Sequence, residues 1–135
     1  MIRKFLFCLI TVALFSCSVD DAGPASHQEL LPIESVVIPD EFQVGISYQI
    51  DLTYVKPTNC HSFYNIYYLK NFNERTVAVI STVYQNENCT TIDAQTDVSF
   101  NFVATQTGSY IFKFWQGEDQ NGEDTYLEME IPAVE

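Results

Sequence analysis

The sequence has few basic residues and few histidines, and this shortage limits the partners and the chemistry open to it. Six Lys and Arg stand against 18 Asp and Glu, and the formal net charge is −12. Nucleic acids and anionic lipid surfaces require clustered Lys and Arg, so neither is an expected partner. There are two histidines, and no Gly-x-Ser-x-Gly, His-Glu-x-x-His or phosphate-loop motif occurs. We therefore expect a protein that is not an enzyme.

Long apolar runs are also missing. The most apolar stretch, residues 5–15, follows Arg3 and Lys4. It is shorter than the roughly 20 residues that a membrane-spanning helix requires. A basic start, a short apolar stretch and a small residue before a cleavage point are the parts of a secretory signal. We therefore expect an exported protein.

The end of this stretch, Leu14-Phe15-Ser16-Cys17, resembles the lipobox of bacterial lipoproteins. The resemblance implies that residues 1–16 are a lipoprotein signal peptide and that Cys17 becomes the lipidated N-terminus. It also implies that the lipid anchors the protein to a membrane of the cell envelope, the outer membrane of a Gram-negative bacterium. A signal removed by the ordinary peptidase, or an uncut anchor, is the alternative.

The residues behind Cys17 read as a spacer. Residues 17–32 contain Gly23, Pro24 and several acidic residues without a periodic apolar pattern, which is typical of a flexible tether. Asp20 and Asp21 resemble the surface-export signal of some Gram-negative lineages, and a plain solvated tether explains them equally well. Removal of residues 1–16 leaves four basic residues against 18 acidic ones, a net charge of 4 − 18 = −14.

The remaining residues, 33–135, favour an all-β domain. Phe, Tyr, Val, Ile and Thr dominate them, while the helix formers Ala, Leu, Lys and Arg are sparse. Short apolar or alternating runs recur with turn residues between them, which predicts one antiparallel β-sandwich of about seven strands. The predicted strands are 34–38, 47–55, 62–69, 76–85, 97–104, 109–116 and 125–131. The last two flank Asn121-Gly122, a dipeptide that favours a tight hairpin.

The segment 104–110, Ala-Thr-Gln-Thr-Gly-Ser-Tyr, resembles the turn into the sixth strand of immunoglobulin-like sandwiches. In those domains a tyrosine bonds through its hydroxyl to the chain a few residues upstream, which makes Tyr110 the candidate for such a corner. The resemblance implies an immunoglobulin-like or fibronectin-like fold. Unlike antibody domains, the chain has no cysteine two residues after Tyr110 and no tryptophan in the third strand, and the resemblance implies no functional residues.

Cys60 and Cys89 remain once Cys8 is removed with the signal and Cys17 is lipidated. An even pair in an oxidising compartment is normally a disulfide, which would connect the loop before the third predicted strand to the loop after the fourth. A catalytic or metal-binding thiol is the rival reading. It is disfavoured because His61, next to Cys60 in an extended chain, would point away from it.

The loop 116–124 gathers four carboxylates, the amide of Asn121 and two glycines, which is suitable material for a calcium site. The order of residues departs from the EF-hand pattern, and a solvated hairpin tip is the simpler interpretation. No cofactor is expected. If calcium binds, the ligands to test are Asp119, Asn121, Glu123 and Asp124.

Aromatic residues provide the candidates for binding. Within the third predicted strand, alternation places Tyr64, Ile66 and Tyr68 on one face and Phe63, Asn65 and Tyr67 on the other. One set is expected in the core and the other is left open. The residues whose exposure would indicate a binding surface are Tyr64, Tyr68, Tyr84 and Trp115.

Together these features predict a lipid-anchored envelope protein with a non-catalytic binding or accessory role. An exposed set of aromatic rings would indicate a glycan-binding or adhesion module, whereas an exposed apolar strand edge would indicate a subunit that binds another envelope protein. A small hydrolase is a further alternative, and it requires a cleft lined with convergent carboxylates.

Overall fold

The computed structural model describes residue 23 and residues 25–85 and 88–135. The predicted signal peptide and Cys17 lie outside this part of the chain. Within it, no helix has the length and apolar character needed to cross a membrane. The described residues form two sheets from nine strands: β1 Ser26–Leu31, β2 Ile33–Val37, β3 Phe42–Gln43, β4 Ser47–Thr58, β5 His61–Asn71, β6 Glu74–Tyr84, β7 Thr91–Val103, β8 Gly108–Glu118 and β9 Asp124–Val134.

The two sheets form a sandwich and differ in width. The three-stranded sheet has the order β2-β4-β7, and the six-stranded sheet is built around β6. One edge of β6 pairs with β5, while β1 and β8 pair with successive halves of its other edge. β9 and β3 follow β8. Strand β5 is therefore the outermost strand on its side of the wider sheet.

Side-chain alternation explains the central strand of the narrow sheet. In β4, Ile50, Leu52 and Tyr54 are buried, while the residues between them are partly exposed. This is the one-sided pattern that the sequence predicts. Pro57 lies at the register shift near the end of β4, where a missing N–H does not interrupt the ladder. β6 has buried residues on both faces. Val79 belongs to the core between the sheets, and Ala78 lies on the outer face among the side chains of neighbouring strands.

Strand β1 lies within the segment that the sequence predicts as a tether, and the structure corrects that prediction. Residues 17–32 were expected to be flexible, but Ser26–Leu31 pairs antiparallel with β6 from Tyr84 to Val79. The ladder is made by backbone groups, so it needs no apolar alternation, and only Leu31 of β1 is buried. Pro32 then ends the pairing, and the chain enters the other sheet at Ile33, which is also buried.

The seven predicted strands each overlap an observed strand, and β1 and β3 are additional. The expectation of a wholly antiparallel sandwich is wrong at two pairs, since β6 with β8 and β3 with β9 are parallel. The chain passes from β6 through β7 in the other sheet and returns in β8. Two crossings restore the original direction, and β8 therefore runs parallel to β6.

Two crossings between the sheets lie at one end of the sandwich and are connected covalently. The chain crosses from β4 to β5 near Cys60 and from β6 to β7 near Cys89, and these cysteines form a disulfide. Asn59 N donates to Thr90 O at 3.1 Å and connects the same two crossings. The disulfide encloses the β5–β6 hairpin, and closing a loop with a sequence separation of 29 stabilises the fold by about 3 to 4 kcal/mol.

Tyr110 connects the core to the turn before β8. Its ring is buried beside Phe42 and Phe102, with ring centroids 6.4 and 5.2 Å away. Its hydroxyl oxygen accepts hydrogen bonds from Thr105 N at 3.0 Å and Gln106 N at 3.3 Å, and the hydroxyl lies 3.3 Å from Gln106 O. Tyr110 thus makes the upstream bonds that the sequence predicts for a corner.

Replacing Tyr110 with Phe tests this corner. The change leaves two backbone N–H groups without their acceptor, so we expect a loss of about 1 to 3 kcal/mol in the free energy of unfolding. Tyr54→Phe is the control, because Tyr54 is equally buried but its hydroxyl makes no hydrogen bond to the described residues. Urea titration measures both variants, and equal losses would contradict the role of the hydroxyl.

Candidate functional site

A groove lies between the two sheets where their edge strands β5 and β7 are adjacent. Its volume is about 550 Å³, within the range of sites that bind small ligands. β5 contributes aromatic and polar side chains from one wall, and β7 contributes them from the other. The lining residues are Phe63, Asn65, Ile66, Tyr68, Lys70, Arg75, Ser99, Phe100, Asn101, Phe102, Val103 and Thr105.

A β-bulge in β5 determines which rings enter the groove. Phe63 pairs with Ser81 and Asn65 pairs with Ile80, so Tyr64 is an extra residue in the ladder. The extra residue brings Phe63 to the groove together with Ile66 and Tyr68. The predicted strict alternation, with Phe63 on the opposite face, is therefore wrong at this point. None of these residues is fully buried.

Arg75 forms the floor of the groove near the β5–β6 turn and is 4% exposed. Its Nη1 donates to Phe72 O and Glu74 O, both at 2.7 Å. The guanidinium carbon lies 5.1 Å from the Tyr110 ring centroid and 5.9 Å from that of Phe102. Among the described residues, no carboxylate forms an ion pair with Arg75. Its charge is stabilised by carbonyl dipoles and aromatic faces.

The tyrosines beside Arg75 have shifted pKa values. Burial raises the pKa of Tyr68, and the positive charge of Arg75 opposes this shift only in part. Burial also acts to raise the pKa of Tyr110. There the hydrogen bonds from Thr105 and Gln106 and the charge of Arg75 outweigh burial, and the net pKa is lowered. The positive charge of Arg75 thus acts on both phenols at the groove floor and favours a lower pKa for each.

The four candidate binding residues occupy four different places. Tyr68 lines the groove, and its ring contacts Phe100 of β7 with centroids 5.8 Å apart. Tyr64 occupies the bulge and is 58% exposed. Tyr84 lies at the disulfide end of β6, where its N–H donates to Cys60 O at 3.0 Å. Trp115 lies on the outer face of the wide sheet. Only Tyr68 therefore belongs to the groove.

A second aromatic surface covers the outer face of the wide sheet, and we call it the outer patch. Its residues surround a shallow depression of about 350 Å³. Trp115 Nε1 donates to Asp124 Oδ1 at 2.8 Å, and Lys113 Nζ lies 4.8 Å from the Tyr126 ring centroid. Burial, followed by the charge of Asp124, raises the pKa of Tyr126. The patch is lined by Leu30, Tyr67, Leu69, Thr76, Ala78, Trp115, Asp124 and Tyr126.

In the acidic loop between β8 and β9, the carboxylates of Asp119 and Asp124 accept hydrogen bonds from within the protein. Asp119 Oδ1 accepts hydrogen bonds from Asn121 N at 2.7 Å and Glu123 N at 3.0 Å, and Asp124 is bonded to Trp115. Gly122 has a φ of 78° and its N–H donates to Asp119 O at 3.0 Å, so the turn spans residues 119–122 and ends in a left-handed glycine. In the described chain, no group of three or more His, Cys, Asp or Glu side chains is placed to hold a metal ion. Two of the four candidate calcium ligands, Asp119 and Asp124, therefore already accept hydrogen bonds within the protein.

Sequence reasoning missed a hydroxyl–imidazole–carboxylate chain near the disulfide. His61 is 8% exposed, its Nδ1 lies 2.7 Å from Thr58 Oγ1, and its Nε2 lies 2.7 Å from Glu29 Oε1. A carboxylate only accepts hydrogen bonds, which places a proton on Nε2. The order resembles that of acyl-transfer triads. However, Thr58 Oγ1 already accepts the Cys60 N–H at 3.1 Å, so the hydroxyl is engaged in holding the turn.

Comparison of the chain with protein-family models, curated proteins and solved structures gives no match. Function is therefore inferred from the surface itself. The groove is concave, partly aromatic and hydrogen-bonding, and it presents positive charge. Such a site can bind and orient a ligand. The described groove has no carboxylate in its lining, so the pair of acidic groups required for glycoside hydrolysis is missing there.

Sequence reasoning identified Tyr68 but missed Arg75. In the sequence Arg75 is one of several scattered basic residues and directly precedes the predicted strand 76–85. Its cross-strand partner Lys70 was equally inconspicuous, because their pairing depends on the β5–β6 register. The available signal was the alternation of Arg75 with Val77 and Val79, which places a charged side chain on an apolar face, where its burial requires compensation.

Thr58→Val tests whether the buried histidine chain is structural. The variant leaves Cys60 N–H without an acceptor and His61 Nδ1 without its partner, so we expect a loss of about 1 to 3 kcal/mol in unfolding free energy. Thr76→Val is the matched control, since Thr76 is also half-buried in a strand and its side chain makes no hydrogen bond to the described residues. Equal unfolding midpoints in urea for Thr58→Val and the wild type would contradict a structural role.

Proposed function

We propose that this chain is a lipid-anchored protein of the cell envelope whose immunoglobulin-like β-sandwich acts as a non-catalytic binding module. The observation that carries the proposal is the groove between β5 and β7, with Tyr68 and Phe100 on its walls and Arg75 at its floor. Half-exposed aromatic rings in a concave site are typical of ligand recognition. The hydrogen bonds of Tyr110 support the immunoglobulin-like assignment.

The anchoring part of the proposal rests on the sequence Leu14-Phe15-Ser16-Cys17 behind a basic and apolar start. The implied location is the outer membrane of a Gram-negative bacterium. Display on the cell surface would follow if Asp20 and Asp21 act as an export signal. A net charge of −14 after cleavage suits a soluble domain held near a like-charged surface.

Cys17→Ser tests the lipid anchor. The serine hydroxyl cannot form the thioether, so we expect the variant to leave the membrane fraction and to lose labelling by fatty acid. Cys8→Ser is the control, because Cys8 lies within the proposed signal peptide and is removed on cleavage. Fractionation and mass spectrometry of the N-terminus provide the readout. A native protein that retains Met1 would contradict the proposed processing.

Tyr68→Ala tests the groove as the binding site. The full chain, purified in detergent, is applied to a glycan array and to envelope extract, and captured molecules are identified by mass spectrometry. We expect saturable capture that weakens about tenfold or more in Tyr68→Ala, the effect of removing a central aromatic contact. Tyr84→Ala is the control, because Tyr84 is 44% exposed and Tyr68 is 43% exposed, but Tyr84 lies outside the groove.

Two outcomes of this experiment would overturn the proposal. Capture that is equal in Tyr68→Ala and Tyr84→Ala would place binding elsewhere on the surface. Recovery of a ligand that has been cleaved would make the protein a hydrolase. Recovery of the ligand chemically unchanged is the result expected of a binding module.

The outer patch supports a second candidate, an accessory subunit that packs against another envelope protein. Tyr67 and Leu69 are exposed there beside Leu30, and this cluster is larger than isolated surface apolar residues. Trp115→Ala separates the two candidates. Loss of a captured protein in Trp115→Ala, with capture kept in Tyr68→Ala, would favour the accessory role.

A further inference from the structure

Two positive charges face each other across the β5–β6 hairpin. Lys70 and Arg75 are direct partners in the register, and both line the groove. Like charges directly opposite each other destabilise a pair of strands. Among the described residues, neither side chain forms an ion pair with a carboxylate. Such a pair creates a local field that an anion would neutralise.

The acidity of the rest of the chain makes this pair unusual. The sequence carries 18 Asp and Glu, yet none of the described residues that line the groove is acidic. Lys70 and Arg75 are two of the four basic residues behind the proposed cleavage site. Arg75 is almost fully buried, so water screens its charge less than that of an exposed side chain. The groove therefore combines an excess of positive charge with weak screening.

The remaining lining matches the chemistry of a sugar. Tyr68 and Phe100 meet at an interplanar angle of 63°, and each is only partly buried. The faces of such rings are negative and attract the slightly positive C–H groups of a pyranose face. Asn65, Asn101 and other polar residues nearby offer donors and acceptors for hydroxyl groups. A ligand that uses all these features has an apolar face, several hydroxyls and a negative charge.

We infer that the groove binds a carboxylated sugar residue of a glycan, with its carboxylate near Lys70 and Arg75 and its ring against Tyr68 and Phe100. This inference rests on the proposed function, because it assigns the ligand class of the same groove. The carboxylate receives the charge-assisted hydrogen bonds, with Lys70 Nζ as the exposed donor. Arg75 acts mainly through its charge, because its Nη1 is bonded to two carbonyls.

A peptide added as an extra strand fits this edge less well. The bulge at Tyr64 interrupts the ladder of β5, and the exposed Lys70 lies on the same strand. Bulges and edge lysines are the devices by which sheets discourage strand addition. A fatty acyl chain fits less well because polar residues line the groove on both walls. A sugar needs neither a continuous edge nor an apolar tunnel.

The test compares oligosaccharides that contain a uronic or sialic acid with counterparts in which the carboxylate is reduced to an alcohol. Binding to the full chain in detergent is measured by titration calorimetry. We expect reduction of the carboxylate to weaken binding about 10-fold to 100-fold, the range for a charge-assisted hydrogen bond. The difference between the two ligands should also decrease as salt is raised.

Lys70→Gln locates the effect. We expect it to weaken binding of the carboxylated ligand about tenfold while leaving the reduced ligand almost unchanged, because the two changes remove the same interaction. Lys56→Gln is the control: it makes the same charge change in β4, outside the groove lining. Thermal unfolding confirms that both variants fold. Arg75 is not substituted, because its side chain also holds the β5–β6 turn.

The possible failures are distinguishable. Equal affinity for the two ligands, with binding still lost in Tyr68→Ala, would overturn the carboxylate inference and leave the groove as a binding site. Tyr68-dependent capture of a protein, with no sugar bound, would also overturn it and leave a protein as the ligand. Absence of any Tyr68-dependent binding would overturn both the inference and the proposed function.

Discussion

The pairing of β6 along both of its edges determines the architecture of the wide sheet. β1 and β8 divide one edge of this strand between them, and β5 occupies the whole of the other. The wide sheet thus has six strands against three in the narrow sheet, and β5 is one of its edge strands. The groove lies between this edge and β7, the edge strand of the narrow sheet. Its rings are only partly buried because they lie at the edge of the sandwich.

A groove that was apolar throughout would expose a large apolar surface to water. The side chains that line this groove reduce that exposure in specific ways. Tyr68 is 43% exposed while its ring contacts Phe100. Arg75 is buried at the floor of the groove, where its guanidinium carbon lies 5.1 Å from the Tyr110 ring centroid. The disulfide and the bond from Asn73 Nδ2 to Ser109 O fix the two ends of the β5–β6 hairpin. These two connections therefore fix the position of the β5–β6 hairpin, which forms one wall of the groove.

The sequence predicts best those features that depend on residues close together in the chain. The alternation in β4 and the Asn121-Gly122 hairpin are local patterns, and both are found in the structure. Tyr110 also has a local signature, because its partners lie four and five residues away. β1 has none, since its ladder joins backbone groups to residues about 50 positions later. The pairing of Lys70 with Arg75 depends on the length of the β5–β6 turn. The groove is formed by residues of both sheets, so no single segment of the sequence predicts it.

The pairing of β1 with β6 determines how the proposed anchored protein would carry tension. Ser26 lies beside Tyr84, at the disulfide end of the sandwich, so the chain toward Cys17 leaves from that end. Seven residues lie between Cys17 and Ala25, and the eight steps from one to the other reach at most about 28 Å. A ligand near Lys70 would pull from the opposite end, and the force would run along the strands. All the bonds between β1 and β6 would then be sheared together instead of being broken one by one, which is the more resistant direction of loading.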